Sequence, residues 1–208
     1  MPASDIAVAF TGASGAPYGV RLVEVLLRAG RDVHLTISPA GAEVIEYELG
    51  RPVRLAADEF DPPSLFGDRT DGLDFSRLHY HHFRDYRAGI ASGSFLTGGM
   101  VICPCSGGTL AAVAHGLSEN LIHRAADVHL KERRKLILVP RETPLGLTPL
   151  RNMVAVTEAG GVVLPAMPAF YTRPRGVEDM VDFVVGRICD QLGVGHTLLA
   201  RWGESPNG

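Results

Sequence analysis

Residues 5–38, DIAVAFTGASGAPYGVRLVEVLLRAGRDVHLTIS, contain the pattern that decides the fold. The apolar, β-branched run at 5–11 predicts a strand that ends at Gly12, and residues 16–29 then repeat apolar side chains at helical spacing. A second run of the same kind, at 31–38, predicts the next strand. Because a strand, a helix and a strand in this order form a right-handed crossover, the pattern predicts neighbouring parallel strands.

The same alternation continues through the rest of the chain. It predicts further strands around 78–83, 99–103, 136–139 and 162–164, and helices at 40–49, 109–114, 120–133, near 150–159 and at 177–192. Residues 51–85 are rich in Pro, Asp and Gly and are predicted to form a variable surface excursion, and residues 193–208 form a C-terminal tail. We therefore predict an α/β fold in residues 1–208: one domain with a Rossmann-like, three-layer, doubly wound and mainly parallel sheet of about six strands.

Composition and charge exclude several classes of protein. Twenty Lys and Arg side chains against 23 Asp and Glu give a formal net charge of −3, so no overall field attracts nucleic acid or an anionic membrane. The sequence has no apolar run long enough to span a bilayer and no signal-like basic start. Three cysteines, an odd number, are typical of a reduced protein. We therefore expect a cytoplasmic protein with neither a nucleic-acid nor a membrane partner.

Three predicted strand-to-helix turns contain residues that suit a bound anion. The first, TGASGAPYG at 11–19, combines small residues with the N–H groups of a helix start, and it either binds phosphate or is only a tight turn. The second is Ser38, which either contacts a ligand or only caps a helix. The third, CPCSGGT at 103–109, adds two hydroxyls and two glycines. Because ligands of parallel sheets bind beyond the strands' carboxyl ends, these turns predict a ligand with a phosphate and a flat body.

Charged residues elsewhere predict a second anionic group. Asp127 shares one helix face with two cations, whereas the basic run at 133–135 lies near the helix end, where cations offset the dipole. Glu142 follows a predicted strand beside an arginine, and flanking prolines hold both on a stiff turn. The cations exceed what one phosphate requires and so indicate a second phosphate-bearing ligand: Arg124, Lys131, Arg141 and Arg187.

Two groups of possible metal ligands have other interpretations. The histidines at 79, 81 and 82 alternate along a predicted strand, and a polar strand face explains them better than a metal site. Cys103 and Cys105 are one residue apart, which suits neither a redox pair nor a zinc site, so we interpret them as buried structural cysteines. The paired aspartates that hold magnesium on a diphosphate are also missing, so no metal is expected.

Six longer blocks of sequence together resemble one family, the UbiX-type flavin prenyltransferases. The blocks are GASGAPYGVRL at 12–22, MVICPCSGGTLAAVAHG at 100–116, NLIHRAADVHLKERRKLILVPRETPL at 120–145, PAMPAFYTRP at 165–174, VDFVVGRICDQLG at 181–193 and RWGE at 201–204. The resemblance spans nearly the whole chain apart from 51–85. It implies a flavodoxin-like Rossmann fold and a homo-oligomer, commonly a dodecamer, with its sites at subunit junctions.

The resemblance also implies a reaction. A dimethylallyl group passes from dimethylallyl monophosphate to N5 and C6 of reduced FMN, phosphate leaves, and prenylated FMN then serves UbiD-type decarboxylases in ubiquinone biosynthesis or aromatic acid breakdown. FMN is thus a substrate, and no metal takes part. Two alternatives remain open, an FMN-binding carrier and an aromatic acid decarboxylase. A diphosphate donor and the identity of the dependent pathway are also open.

Family roles are carried over to the matching positions of this sequence. The expected FMN-binding residues, with Ser92 near flavin N5, are Ala13, Ser14, Gly15, Ser38, Ser92, Ser106, Gly107, Gly108, Thr109 and Arg141. Those expected to bind the prenyl phosphate are Arg124, Lys131, Arg141, Tyr171 and Arg187. The expected catalytic residues are Ser14, Glu48, Lys131, Glu142 and Trp202. Glu48 and Glu142 transfer protons, one near the leaving phosphate and the other during ring closure, and the resemblance leaves open which does which. Trp202 offers a π face to the allyl cation.

Overall fold

The computed structural model describes residues 5–199. Its strands are β1 (Ile6–Phe10), β2 (Val33–Ile37), β3 (Leu78–Tyr80), β4 (Gly99–Cys105), β5 (Leu136–Pro140) and β6 (Val162–Val163). Its α-helices are α1 (Ala16–Arg28), α2 (Pro39–Leu49), α3 (Gly107–Ala114), α4 (Leu121–Lys131), α5 (Leu147–Glu158) and α6 (Val177–Leu192). The strands form one sheet in the order β3-β2-β1-β4-β5-β6, and every neighbouring pair is parallel. The predicted doubly wound, Rossmann-like α/β fold is confirmed.

The sheet separates two apolar cores. Strands β1, β4 and β5 are buried along their whole length, which is why they read as continuous apolar runs rather than alternating ones. Helices α1, α2 and α6 pack on one face through side chains such as Leu22, Ile45 and Val185. Helices α3, α4 and α5 pack on the other through Leu110, Ile122 and others. Within the described residues, no helix combines the length and apolarity that a bilayer span requires.

Residues 51–85 have little regular structure. They contain two short 3₁₀ turns, Pro62–Leu65 and Phe75–Arg77, and the edge strand β3, which ends at Tyr80, before the predicted limit of residue 83. Leu65 and Phe66 nevertheless lie in the core beside α1 and α2. The excursion therefore supplies part of the core as well as surface.

Two element boundaries differ from prediction for reasons of proline chemistry. Strand β4 continues past the predicted end at residue 103 through Pro104 to Cys105, with an irregularity in its pairing to β5 between Ile102 and Cys105. Helix α5 begins at Leu147, three residues earlier than predicted, so Pro149 lies in its first turn. Proline is tolerated there because N–H groups in the first turn have no intrahelical partner.

Candidate functional site

The carboxyl ends of β1 and β4 meet at the centre of the sheet, where the strand order reverses direction. In doubly wound sheets this reversal opens a crevice that binds ligands. Thr11 joins the two turns there: its Oγ1 donates to the Pro104 carbonyl O at 2.9 Å and accepts from the Ser106 backbone N at 2.8 Å. Sequence reasoning did not select Thr11. The available signal was a hydroxyl at the end of an otherwise apolar strand, and that hydroxyl is buried.

An open cavity of about 750 Å³ lies at this edge of the sheet, between the N-termini of α2 and α3. Ser38 caps α2, and its Oγ accepts from Gly41 N at 3.0 Å. Ser106 caps α3, and its Oγ accepts from Thr109 N at 3.2 Å. Each helix N-terminus carries partial positive charge, so two of them beside one cavity suit an anion. The predicted residues that line this cavity are Ser38, Ser106, Gly108 and Thr109.

The glycines beside this cavity serve two different purposes. At Gly12 a Cβ would lie 2.6 Å from the Ala40 Cβ, so glycine there allows α2 to approach β1 closely. At Gly107 and Gly108 a Cβ would meet nothing within 4 Å. Packing therefore does not require glycine at 107 and 108, and the open space in front of them is where a ligand could approach the backbone.

The N-terminus of α1, predicted as a possible phosphate site, is occupied by a carboxylate of the same chain. Glu48 Oε2 accepts from Gly15 N at 3.0 Å and from Ala16 N at 2.8 Å. Gly15 has a φ of 125°, a conformation that L side chains rarely adopt, and it turns these amides toward Glu48. The helix N-termini that border the large cavity are therefore those of α2 and α3, whereas that of α1 binds Glu48.

Arg141 and Glu142 follow β5 at the same edge of the sheet. Arg141 Nε lies 3.4 Å from the Ser14 carbonyl O, and Glu142 Oε1 accepts from Thr143 N at 3.2 Å. A small cavity of about 60 Å³ lies beside both charged residues, with Met153 and Met167 in its wall.

Tyr18 is a neighbour of this charged group that sequence reasoning did not select. Burial raises the pKa of the Tyr18 phenol, with Cys103 and Glu48 adding to the shift and Arg141 opposing it. The structure therefore collects Ser14, Glu48, Arg141 and Glu142 in one region.

Ser92, Arg124 and Lys131 form a second group, on the face of α4. Arg124 Nε donates to the Ala91 carbonyl O at 3.0 Å, and Arg124 Nη1 pairs with Asp127 at 2.9 Å, as their predicted common helix face requires. Lys131 Nζ pairs with Glu132 at 2.6 Å. These contacts tie the group to its own neighbours rather than to the Arg141 region. Within one chain, these two phosphate-binding cations are thus separate from Arg141, and Arg187 lies in a third place, on α6.

Tyr171 and Arg187 belong to the α6 side of the molecule. The Tyr171 ring packs edge-on against Phe183, with 5.9 Å between centroids, and 59% of the residue is exposed. Arg187 Nη1 pairs with Asp190 at 3.0 Å. Trp202, the predicted π face, lies outside the described residues.

The candidate metal ligands form other contacts. Cys103 and Cys105 are both buried, and burial raises the pKa of each thiol, in agreement with a structural role. His34 on β2 bridges toward the histidines near β3, with its Nδ1 2.9 Å from His81 Nε2, while His79 Nε2 lies 3.5 Å from Asp32. Among residues 5–199, no group of His, Cys, Asp and Glu has an arrangement that suits a metal ion.

Comparisons with known proteins decide the family. The flavoprotein family model matches residues 1–189. The flavin prenyltransferase UbiX of Alkalihalophilus pseudofirmus is 48% identical over 201 residues, covering 95% of this chain and 95% of that protein. The chain belongs to the UbiX-type flavin prenyltransferases. Another member of the family, the flavin prenyltransferase UbiX of Pseudomonas aeruginosa, is 47% identical over 201 residues, covering 96% of this chain and 94% of that protein.

Solved structures of the family superimpose over almost the whole chain. AnUbiX (PadA1) in complex with FMN and dimethylallyl pyrophosphate has a TM-score of 0.84 at 37% identity and covers 99% of this chain and 100% of its own. A dodecameric FMN-dependent UbiX-like decarboxylase from Escherichia coli O157:H7 has a TM-score of 0.79 at 39% identity and covers 92% of this chain and 96% of its own. The resemblance read from the sequence blocks is confirmed.

Proposed function

We propose that this member of the family transfers a dimethylallyl group from dimethylallyl monophosphate to N5 and C6 of reduced FMN. One observation in particular supports FMN as the acceptor: two capped helix N-termini and the open backbone at Gly108 border a single cavity of about 750 Å³. Amides at a helix start bind the phosphate of a nucleotide, and glycines allow the rest of the molecule to lie against the backbone. Further support comes from the FMN in the complex of AnUbiX.

The chemistry requires fixed cations and a proton carrier. When the allylic C–O bond breaks, its electron pair leaves with the phosphate, so cations must stabilise that group. We assign this role to Arg124, Lys131, Arg141 and Arg187, together with the Tyr171 phenol. The new bond forms between the allyl carbon and flavin N5, which loses its proton. Ring closure then adds a proton to the prenyl double bond, joins the resulting tertiary carbon to C6 and expels the C6 proton. Ser14 lies in the turn that the Arg141 guanidinium contacts.

The two predicted proton carriers have different surroundings. The Glu48 carboxylate accepts hydrogen bonds from Gly15 N and Ala16 N. Besides any proton transfer, it therefore fixes the turn after β1. Glu142 is exposed at the strand end, where its carboxylate accepts from the adjacent Thr143 N. A carboxylate that is not tied to a helix start is freer to take the proton released at C6. We therefore propose Glu142 as the proton carrier of ring closure.

We further propose that the site is completed by a second copy of the chain. Within one chain, Arg124 and Lys131 contact their own neighbours on the α4 face, away from the Arg141 turn. A homo-oligomer, by analogy with the dodecameric relative a dodecamer, would place one copy's α4 face against another copy's sheet edge. Large apolar side chains exposed outside the core offer contact surface: Leu147, Leu150, Val154, Met167 and Phe170. We also propose that a UbiD-type decarboxylase uses the product. Free cysteines are typical of a reducing compartment, so we propose a cytoplasmic location as well.

One anaerobic experiment tests the function. The protein is incubated with reduced FMN and dimethylallyl monophosphate, and the flavin is then analysed by mass spectrometry. We expect a gain of one C5 unit with wild type and with the exposed control Glu158→Gln, and a strongly reduced gain with Glu142→Gln. Unchanged FMN with wild type would favour the carrier alternative. Turnover of a hydroxyaromatic acid by the protein alone would favour the decarboxylase alternative.

A further inference from the structure

The segment 91–97, which contains Ser92, is held by hydrogen bonds with side chains at the C-terminal end of α4 and in the turn after it. Arg134, in the turn after α4, donates from Nη1 to the Phe95 carbonyl O at 2.6 Å and from Nη2 to the Gly93 carbonyl O. Only a planar guanidinium presents two N–H donors in this fixed fork, so lysine cannot reproduce the contact. Sequence reasoning assigned the basic run at 133–135 to the helix dipole. The structure gives Arg134 a different role.

A buried histidine anchors the far end of the same segment. His129 Nδ1 lies 2.7 Å from the Ala125 carbonyl O, which can only accept, so Nδ1 carries the proton. Nε2 of the neutral ring therefore accepts from Thr97 Oγ1, which lies 2.7 Å away. Burial lowers the pKa of His129, in keeping with a neutral ring. The segment is thus held at both ends.

The backbone of the segment also contacts the ion pair of Lys131 and Glu132. A Cβ at Gly93 would lie 2.8 Å from Glu132 Cδ and 3.0 Å from Lys131 Nζ, so a side chain there would displace the ends of these two side chains. The place of the Lys131 ammonium and the place of the segment therefore depend on each other.

The Ser92 hydroxyl is oriented by the same backbone segment to which Arg134 donates its hydrogen bonds. Ser92 Oγ accepts from Ser94 N at 3.3 Å and lies 2.9 Å from Ser94 Oγ. The Ser92 carbonyl O accepts from Phe95 N at 3.3 Å. Ser94 lies between Gly93 and Phe95, whose two carbonyls Arg134 binds, so a shift of either carbonyl moves the partners of Ser92.

We propose that Arg134 is a positioning residue for prenyl transfer, which fixes the carbonyls of Gly93 and Phe95 and thereby holds Ser92 and Lys131 in their working geometry. The inference rests on the proposed function, because Ser92 and Lys131 act on the flavin and the prenyl phosphate only within it. Arg134 faces the segment rather than the cavity at α2 and α3. Its loss therefore slows transfer and leaves FMN affinity nearly unchanged.

The test compares Arg134→Lys with the matched control Arg133→Lys, an exposed neighbour of the same charge. For Arg134→Lys we expect kcat to fall by about 10- to 100-fold, because small misplacements of reacting groups cost rates of this order. The FMN Kd should stay within about twofold, a difference well below one tenfold step of affinity. Hydrogen–deuterium exchange of a peptide spanning 92–97 should become faster, while peptides from α1 and α3 stay unchanged. Wild-type kcat and exchange in Arg134→Lys would overturn the inference.

A double-mutant cycle separates positioning from general destabilisation. If Arg134 acts by holding Ser92 and Lys131, Arg134→Lys adds little to the rate loss of the variant that carries both Ser92→Ala and Lys131→Ala, whereas independent effects multiply. Multiplication of the two losses would refute the inference. Should Arg134→Lys fail to fold, Thr97→Val releases the other end of the segment from His129 and is expected to lower kcat in the same way with retained FMN binding. If wild type forms no prenylated flavin, the proposed function fails, and the exchange experiment still decides whether Arg134 holds the segment.

Discussion

We propose two phosphate-binding regions that use different chemical groups: the sheet edge at the turns after β1, β2 and β4, and the face of α4 that carries Arg124 and Lys131. At the edge, the binding groups are backbone amides at the N-termini of α2 and α3, and Thr11 ties two of the turns together. On the α4 face they are the side chains Arg124 and Lys131, each paired with a carboxylate beside it. Backbone groups in capped helices are already ordered, whereas long side chains lose rotamer freedom when they are fixed. By our proposal, the edge therefore supplies its phosphate-binding groups from one chain, whereas the α4 face needs the sheet edge of a second copy to complete the prenyl-phosphate site.

The largest expected effect tests whether Lys131 and Glu142 of one site come from two different copies of the chain. Lys131→Ala and Glu142→Gln should each lower the prenyl-transfer rate by about 100- to 1000-fold, the usual cost of removing a group that stabilises transition-state charge. If the two residues of one site come from different copies, assemblies co-expressed from both variants at equal levels regain about a quarter of wild-type activity, because that fraction of sites receives both intact residues.

The measurement uses two affinity tags, so that only mixed assemblies are purified and assayed. Assemblies of either single variant provide the baseline. If mixed assemblies are no more active than that baseline, both residues of each site come from the same copy, and the edge and the α4 face then meet within one chain.

Two glycines near the edge, Gly19 and Gly108, are needed for different reasons: the first for close packing and the second for access of a ligand to the backbone. A Cβ at Gly19 would lie 2.6 Å from Phe10 Cζ and closer still to the Cys103 carbonyl O, so Gly19→Ala should lower the free energy of unfolding by about 3 kcal/mol. A Cβ at Gly108 meets nothing within 4 Å, so Gly108→Ala should leave stability within about 1 kcal/mol of wild type. It should instead weaken FMN binding by about tenfold. Urea unfolding and flavin titration of both variants check this contrast, which equal losses of stability would contradict.

Thr11→Val tests the tie between the two turns. It removes the acceptor of the Ser106 N–H and should cost about 2 kcal/mol of stability, since a buried donor loses its partner. Thr36→Val is the matched control: within residues 5–199 the buried Thr36 hydroxyl has no hydrogen-bond partner, so its removal should be neutral or stabilising. Denaturant midpoints of the two variants give the comparison. Equal midpoints would show that the Thr11 hydroxyl does not hold the turns.

Much of the fold follows from the sequence because its signals are local. The alternation at 5–38 predicted β1, α1 and β2, since buried parallel strands read as apolar runs and the helix repeats apolar positions between them. Ser38 and Ser106 were selected because they follow strands at the edge where ligands bind, and the structure shows that both also cap the next helix. The end of β4 was missed because Pro104 reads as a turn, although a strand can absorb it with irregular pairing.

The contacts that organise the candidate site could not be read in the same way. Thr11 binds Ser106 across 95 positions of sequence, and Glu48 reaches Gly15 across 33. Arg134 lies in a basic run whose nearest explanation is the helix dipole, and only the folded chain shows its fork on Gly93 and Phe95. Such partners are set by which elements pack together, so no local pattern predicts them.

The smallest expected effect is a loss of stability at low pH, caused by buried histidines that connect the segment beside α4 to β2. Phe95 packs edge-on against His34, with 4.9 Å between centroids, and His34 Nδ1 lies 2.9 Å from His81 Nε2. Burial lowers the pKa of His81 to about 4, with the neighbouring His34 adding to the shift and Asp85 opposing it. The unfolded chain therefore binds more protons than the folded one below the ordinary histidine pKa of about 6.5.

Stability should accordingly be complete above pH 6.5 and fall as the pH drops toward 4, by about 1 kcal/mol once screening by solvent is allowed for. His81→Gln should remove part of this slope in urea unfolding measured between pH 7.5 and 4.5, because burial also lowers the pKa of His34 and His129. Because His34 contacts Phe95, hydrogen exchange at pH 5 should rise first in peptides from 78–97, while those from the turns after β1 and β4 stay protected. Equal loss of protection at both places would mean that the histidines report on the whole domain rather than on the side that carries Ser92.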